Sequence, residues 1–172
     1  MDMDPSIYKD FLAQAIFRIN ENTERVEKCL EHLREEELWQ RPNNALNSVG
    51  NLILHLCGNI GQYIVSALGE NPDLRKRDEE FSATGGWAKA ELLSVLKATT
   101  ARANAVIGQQ SAGSLSKSRK VQAYTLTGVG IILHVVEHYS YHTGQIAFWT
   151  KLLKEKDLGF YAGVDLNRKN TE

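Results

Sequence analysis

The sequence predicts an all-α protein, a four-helix bundle with a long crossover between its second and third helices. Three observations support this prediction. Apolar residues recur at three- and four-residue spacing over four long segments, strand-like alternation is almost absent, and one connection between helical segments is unusually long. A chain of 172 residues fits one domain with a full core, so we treat residues 1–172 as a single bundle.

The first two helices are marked by apolar stripes and by residues that start or stop helices. Helix one begins at Pro5 and ends near Leu33, before an acidic run. Helix two begins after Asn47 or Ser48, either of which can cap it, and continues to Gly69. The charged segment between helix two and residue 86 has no helical period, so we expect it to form the crossover.

The second half of the chain contains two further helices. Helix three is predicted from Trp87 to Ile107, and residues 109–123 read as a polar loop. Helix four is predicted from about Thr127 to about Lys154, and the tail that follows has no predicted place. Because Leu133, Val136 and Ala147 lie on the outer side of this helix, they suggest a partner surface or cover by the tail.

Composition disfavours several classes of protein. The chain has 42% hydrophobic and 24% charged residues and a formal net charge of -1, which gives no field for nucleic acid or an anionic membrane. No apolar run reaches the roughly 18 residues of a membrane span, and the N-terminus lacks a secretory pattern. We therefore expect a cytoplasmic protein. Cys29 and Cys57 form no CxxC pair and suggest neither a disulfide framework nor a thiolate zinc site.

Helix four carries three histidines at four-residue steps: His134, His138 and His142. They share an arc with Ile131, Gln145, Trp149 and Leu152, and that arc should face the core. A single inward histidine is usually a hydrogen-bonded core residue. Three inward histidines are harder to explain in this way, because each buried imidazole without a hydrogen-bond partner costs about 1–3 kcal/mol of stability. Neutral imidazoles one turn apart can instead share one cation.

A metal site of this kind needs at least three protein ligands, so another helix must contribute. His55, on the flank of the helix-two stripe, is one candidate, and Asn59 lies one turn further along the same edge. His32 is the other candidate. Its charged neighbours suggest a solvated surface residue, so His55 is preferred. Three imidazoles would leave a coordination position open, as in reactive metal sites.

Three segments carry a resemblance to a known family. They are WQRPN from Trp39 with NSVGNLILHLCGN from Asn47, RKRDEEF from Arg75, and HVVEHYSYHTGQI from His134. In this order they resemble the DinB-like superfamily of bacterial four-helix bundles, which includes bacillithiol- and mycothiol-dependent enzymes. The resemblance implies that His55, His138 and His142 ligate a metal ion and that His134 lies beside it. One departure is Thr143, where many relatives have Arg before the Gly-Gln pair.

Three functions follow as hypotheses. The first is a transferase in which a divalent ion, zinc or nickel, activates a low-molecular-weight thiol such as bacillithiol toward a small-molecule electrophile. The second is a metal-dependent hydrolase, disfavoured because Glu137 should point away from the histidines, and the third is a non-catalytic metal-binding stress-response module. The candidates for orienting the second reactant or relaying a proton are Asn59, His134, Tyr139 and Gln145. We also expect a homodimer, from the outward apolar residues of helix four and the habit of the superfamily.

Overall fold

Four long helices carry the core in the computed structural model, which describes residues 5–170. Helix α1 spans Pro5–His32 and is followed by a 3-10 helix at Glu35–Trp39. Helix α2 spans Val49–Ile60 and continues without a break as a π-helical segment at Gly61–Leu68. The crossover that follows contains one short helix, α3, at Arg77–Ser82.

The second half of the chain supplies the other two long helices. Helix α4 spans Lys89–Gly108, and the short helix α5 spans Ala112–Ser116. Strands β1, Ser118–Val121, and β2, Tyr124–Thr127, form an antiparallel hairpin in which Ser118 pairs with Thr127. Helix α6 then spans Gly128–Lys154. The predicted fold class, an all-α four-helix bundle with a crossover, is confirmed.

Two connections contain more structure than the sequence predicts. The crossover, expected to lack helix, contains α3, and the polar loop at 109–123 contains α5 and most of the hairpin. Elements of four to six residues are too short to show a period, so contacts from elsewhere in the chain define them. Tyr63 in the π-helical segment, for instance, donates a hydrogen bond of 2.8 Å to Gln122 Oε1 in the hairpin turn.

The outer side of α6 is also less open than predicted. Ala147 is buried, and Val136 is partly buried against the core, so only Leu133 of the three residues expected outside is exposed. Leu152, expected to face the core, is instead 58% exposed. A helix packed on several sides has no single apolar stripe, and its orientation is therefore poorly fixed by periodicity.

The C-terminal tail, which the sequence did not place, packs back on the bundle. Leu158 is buried, and Phe160 packs against the core. The Arg25 guanidinium on α1 lies over the rings of Phe160 and Tyr161, at 5.7 and 5.4 Å from their centroids. Within residues 5–170 no helix is long and apolar enough to cross a membrane.

Candidate metal centre

The position of His55 is set by the start of α2. The Ser48 hydroxyl accepts a hydrogen bond of 3.1 Å from the Asn51 backbone N–H, and Asn51 Oδ1 accepts one of 3.2 Å from the Ser48 N–H. This reciprocal cap fixes the first turn of the helix. His55 follows one turn after Asn51, and its side chain is buried on the face that meets α6.

His138 and His142 lie one turn apart on α6. Thr127 caps this helix by accepting a hydrogen bond of 3.1 Å from the Gly130 N–H. Gly128 lets its first turn pack closely on α5, because a Cβ there would lie 2.9 Å from the Leu115 Cα. The cap and this close contact fix the start of α6, and α6 presents the two imidazoles to α2.

The Nε2 atoms of these three histidines converge. His138 Nε2 lies 3.0 Å from His55 Nε2 and 3.2 Å from His142 Nε2. Two nitrogens held at 2.0–2.1 Å from one tetrahedral ion would be about 3.3 Å apart, close to both separations. Among the described residues, this triad is the one group of histidine, cysteine and carboxylate side chains arranged to hold a metal ion.

The opposite ring nitrogens of two of the imidazoles contact polar side chains. His55 Nδ1 lies 2.9 Å from the Glu80 carboxylate and 3.1 Å from Arg75 Nη2, and His142 Nδ1 lies 2.7 Å from the Gln145 amide oxygen. With Nδ1 protonated, each ring donates to its oxygen acceptor and presents a lone pair on Nε2. Hydrogen bonds of this kind orient the imidazoles that ligate metal ions.

The donors of this triad fit a cation. His138 has one ring proton when neutral, so at most one of the two short Nε2 contacts can be a hydrogen bond and the other opposes two lone pairs. Burial, together with the neighbouring imidazoles, lowers the pKa of His138 to about 3, and burial also lowers the pKa of His142. The His138 and His142 rings are therefore neutral at physiological pH, and a divalent ion would accept a lone pair from each of the three Nε2 atoms.

Glu80 is the carboxylate that supports His55, and it comes from the crossover helix α3. Arg75, whose side chain is 3% exposed, binds it through two nitrogens, with Nε to Oε1 at 2.7 Å and Nη2 to Oε2 at 2.9 Å. Burial raises the pKa of Glu80, but hydrogen bonds from Arg75 and His55 outweigh it and leave the pKa below its usual value. The Glu80 carboxylate is thus charged at neutral pH, and the Arg75 guanidinium balances its charge.

Gly58 makes room for this carboxylate on α2. A Cβ at Gly58 would lie 1.9 Å from Glu80 Oε1, a separation that no side chain can occupy. The carboxylate therefore rests against bare helix backbone, one turn from His55. This is the physical reason for glycine in the HLCGN segment.

Hydrogen bonds fix the crossover to the start of α2. Asn51 is fully buried, and its Nδ2 donates to the carbonyls of Glu80 and Ala83 at 2.9 and 2.8 Å. Arg41 Nη2 donates to the Phe81 carbonyl at 2.7 Å and to Asn51 Oδ1 at 2.9 Å. Residues of WQRPN and of NSVGNLILHLCGN thus hold the RKRDEEF segment in a fixed position relative to His55.

Two of the other candidate residues lie next to the triad. The His134 ring stacks on Tyr63 at 4.2 Å, and its Nε2 lies 3.3 Å from Asn59 Nδ2, while its centroid is 5.5 Å from that of His138. Burial lowers the pKa of His134. His134 and Asn59 therefore form a polar pair beside the converging nitrogens and outside the triad.

Of the remaining candidate residues, one contacts the triad and two lie away from it. Gln145 contacts the site by accepting from His142. Tyr139 does not reach it, because this fully buried residue faces α1, with its hydroxyl 2.9 Å from Thr23 Oγ1. His32, the alternative third ligand, lies in the last turn of α1 and is not part of the triad.

Sequence reasoning missed Glu80 and Arg75 and set aside Glu137. Runs of charged residues such as RKRDEEF are usually solvated, and nothing in the spacing of this crossover segment reveals the burial of two of its members. Glu137 is exposed, but it lines an open cavity of about 530 Å³ with His134, His138 and Tyr141. Chemistry offers one signal for Glu80: a histidine that ligates a metal ion usually donates its second ring N–H to an acceptor such as a carboxylate.

A known protein family matches most of the chain. Residues 6–162 match the profile of a family described as a protein of unknown function, DUF1572. The chain belongs to this family. All three triad histidines and the Arg75–Glu80 pair fall within the matched part. No protein of curated function is significantly similar to this DUF1572 member.

Solved structures share the fold of this DUF1572 protein. It superposes on a conserved protein from Enterococcus faecalis with a TM-score of 0.72 at 17% identity, covering 84% of this chain and 97% of that one. The DinB-like protein YjoA from Bacillus subtilis gives 0.63 at 14% identity, covering 84% and 94%. A DinB-like protein from Bacillus cereus gives 0.62 at 14% identity, covering 78% and 87%. These matches show that the chain has the fold of DinB-like proteins, the fold that the motifs imply.

Proposed function

We propose that this protein is a divalent-metal-dependent thiol S-transferase, with His55, His138 and His142 as the metal ligands. The observation that carries the proposal is the convergence of three Nε2 atoms, from two imidazoles whose Nδ1 atoms contact Glu80 and Gln145 and from the His138 ring between them. Three histidine ligands and an open position suit zinc or nickel. When bound, such an ion would stabilise the anionic form of a coordinated thiol at neutral pH.

The charge balance of the site favours an anionic sulfur. The three imidazoles are neutral donors, and the one carboxylate in contact with them is balanced by Arg75. The protein therefore does not compensate the charge of a divalent ion, and an anion is attracted to the open position. A free thiol with a pKa of about 8.5 would lose its proton to solvent on binding.

The sulfur must come from a second molecule, because neither cysteine of the chain is a nucleophile. Burial raises the pKa of Cys57 to about 12 and that of Cys29 to about 11, so both remain thiols at neutral pH. We therefore propose a low-molecular-weight thiol, such as bacillithiol, as one small-molecule substrate. Its sulfur forms a bond to the electrophilic carbon while the bond from that carbon to the leaving group breaks.

Chelation and calorimetry test the proposal. Protein purified without a histidine tag is compared before and after chelator treatment and zinc or nickel reconstitution, with bacillithiol and 1-chloro-2,4-dinitrobenzene as substrates. We expect thioether and chloride to form faster than in the uncatalysed reaction only with metal-loaded protein. Thiol binding should release a proton, measured in buffers of different ionisation enthalpy. Metal-loaded protein that binds no thiol, or binds it without releasing a proton, would contradict the proposal.

A metal-dependent hydrolase is the second candidate, and the position of Glu137 favours it. This exposed carboxylate lines the cavity beside His138, where it can accept a proton from water. Glu80 cannot serve in that role, since both of its oxygens are occupied by Arg75 and His55. Glu137→Gln separates the two functions: it should abolish hydrolysis by this route and leave thiol transfer intact. A protein with neither activity would be the non-catalytic metal-binding module.

The oligomeric state and location belong to the same proposal. We expect a cytoplasmic homodimer, although Leu133 alone remains exposed of the outward residues that suggested pairing. Light scattering at micromolar concentration checks the expectation, and a monomeric mass across the accessible concentration range would contradict it.

A further inference from the structure

A large groove lies between the start of α2 and the C-terminal half of α6. Its volume is about 720 Å³, within the roughly 300–1,000 Å³ of small-molecule sites. The segment before α2 contributes Pro42 and Leu46, and α6 contributes Tyr141, Phe148 and Trp149. The groove is thus formed by parts of the chain that also support the metal ligands.

The groove is apolar and aromatic. None of the described residues that line it carries a charge. Leu46, Phe148 and Leu152 are 48%, 70% and 58% exposed, which leaves apolar surface facing solvent. Covering such apolar surface with a ligand favours binding by about 25 cal/mol of free energy per Å². Trp149, one of the lining residues, has its Nε1 buried without a hydrogen-bond partner among the described residues.

The groove adjoins the metal centre through two of its lining residues. Gln145 lines it and also accepts the hydrogen bond from His142 Nδ1. Tyr141 lines both this groove and the open cavity beside His138, and its ring lies 5.0 Å from that of His142. A molecule in the groove would therefore lie one side chain away from the triad.

We propose that this groove binds the uncharged, apolar part of the electrophilic substrate, a group of about the size of an aromatic ring system. This inference rests on the proposed thiol transfer, and it adds the substrate class. A second copy of the chain fits less well. Twelve residues line the groove, whereas one side of a standard protein interface uses about 20–30.

Gly144 offers a way to fill the groove without touching the metal ligands. It lies on α6 in the groove lining, and a Cβ there would meet no atom within 4 Å. Leucine at this position would occupy the groove, and leucine is a better helix former than glycine by about 0.5–1 kcal/mol. Gly144→Leu should therefore fold and bind metal. Leu133→Ala is the matched control, since Leu133 is 55% exposed on the same helix and does not line the groove.

The first test measures binding of 2-naphthol by calorimetry, with metal-free and metal-loaded protein. We expect binding in both forms, a Kd raised about tenfold or more in Gly144→Leu, and no change in Leu133→Ala. Metal content should be equal in all three proteins. Absence of 2-naphthol binding, or an unchanged Kd in Gly144→Leu, would overturn the inference. A mass halved by Gly144→Leu without 2-naphthol binding would also overturn it and assign the groove to a second copy.

The second test measures the reaction. In the metal-loaded enzyme, Gly144→Leu should raise the KM for 1-chloro-2,4-dinitrobenzene about tenfold and leave that for iodoacetamide, which has no apolar part, unchanged. An equal rise for both electrophiles would overturn the inference. Because 2-naphthol binding needs neither metal nor thiol, its presence without any thiol transfer would reject the proposed function while supporting the apolar site.

Discussion

Removal of single histidines tests the metal centre at the scale of one residue. We expect His55→Ala, His138→Ala and His142→Ala each to lower metal affinity by more than the roughly 10–100-fold lost with an outer partner. His134→Ala should keep the ion, because its ring stacks on Tyr63 beside the converging nitrogens. Elemental analysis and a competition titration give the measurement. His32→Ala is the control, and full metal retention in His55→Ala would reject that ligand.

Two neighbouring glycines test the role of the Glu80 carboxylate. A Cβ at Gly58 would displace Glu80, whereas one at Gly61 would meet nothing within 4 Å. We expect Gly58→Ala to weaken metal binding about 10–100-fold, because His55 loses the acceptor that orients it. Gly61→Ala should bind metal normally and gain up to about 1 kcal/mol of unfolding free energy. Equal metal affinities in the two variants would show that Glu80 does not orient His55.

At the scale of elements, Asn51 joins α2 to the crossover helix. Its amide is buried and donates to the carbonyls of Glu80 and Ala83. Asn51→Ala should lower the unfolding free energy by about 1–3 kcal/mol, since it leaves buried acceptors without donors. We expect faster hydrogen exchange in residues 77–83 and weaker metal binding in the same variant. Asn104→Ala, which removes a surface hydrogen bond to Asn20, serves as control and should change neither. Unchanged exchange in residues 77–83 would contradict this role of Asn51.

At the scale of the whole molecule, the buried histidines link stability to pH. In the unfolded chain they titrate near pH 6.5, while burial lowers the folded pKa of His138 to about 3 and also lowers that of His142. Between these values the unfolded state binds more protons, so stability rises with pH up to about 6.5 and is lost as pH falls toward 3. Denaturant titrations of metal-free protein should show this loss. His138→Gln should show a shallower loss, and a pH profile identical to wild type would contradict the assignment.

Sequence alone determined the bundle and the residue types of the candidate metal site. Long helices repeat their apolar spacing often enough to be read, and histidines at positions 138 and 142 must share a face because the helix returns there each turn. The choice of His55 over His32 needed chemistry as well as spacing, and the structure brings His55 to the pair.

Tertiary structure decided what short or multiply packed segments do. The burial of Glu80 and Arg75, the place of Tyr139 against Thr23, and the groove beside Gln145 depend on contacts between segments far apart in the chain. A charge run in isolation is most stable in water, and only Asn51, Gly58 and His55 together make burial of this one favourable. Local periodicity carries no information on such partners, because their free energy appears only after the helices have packed.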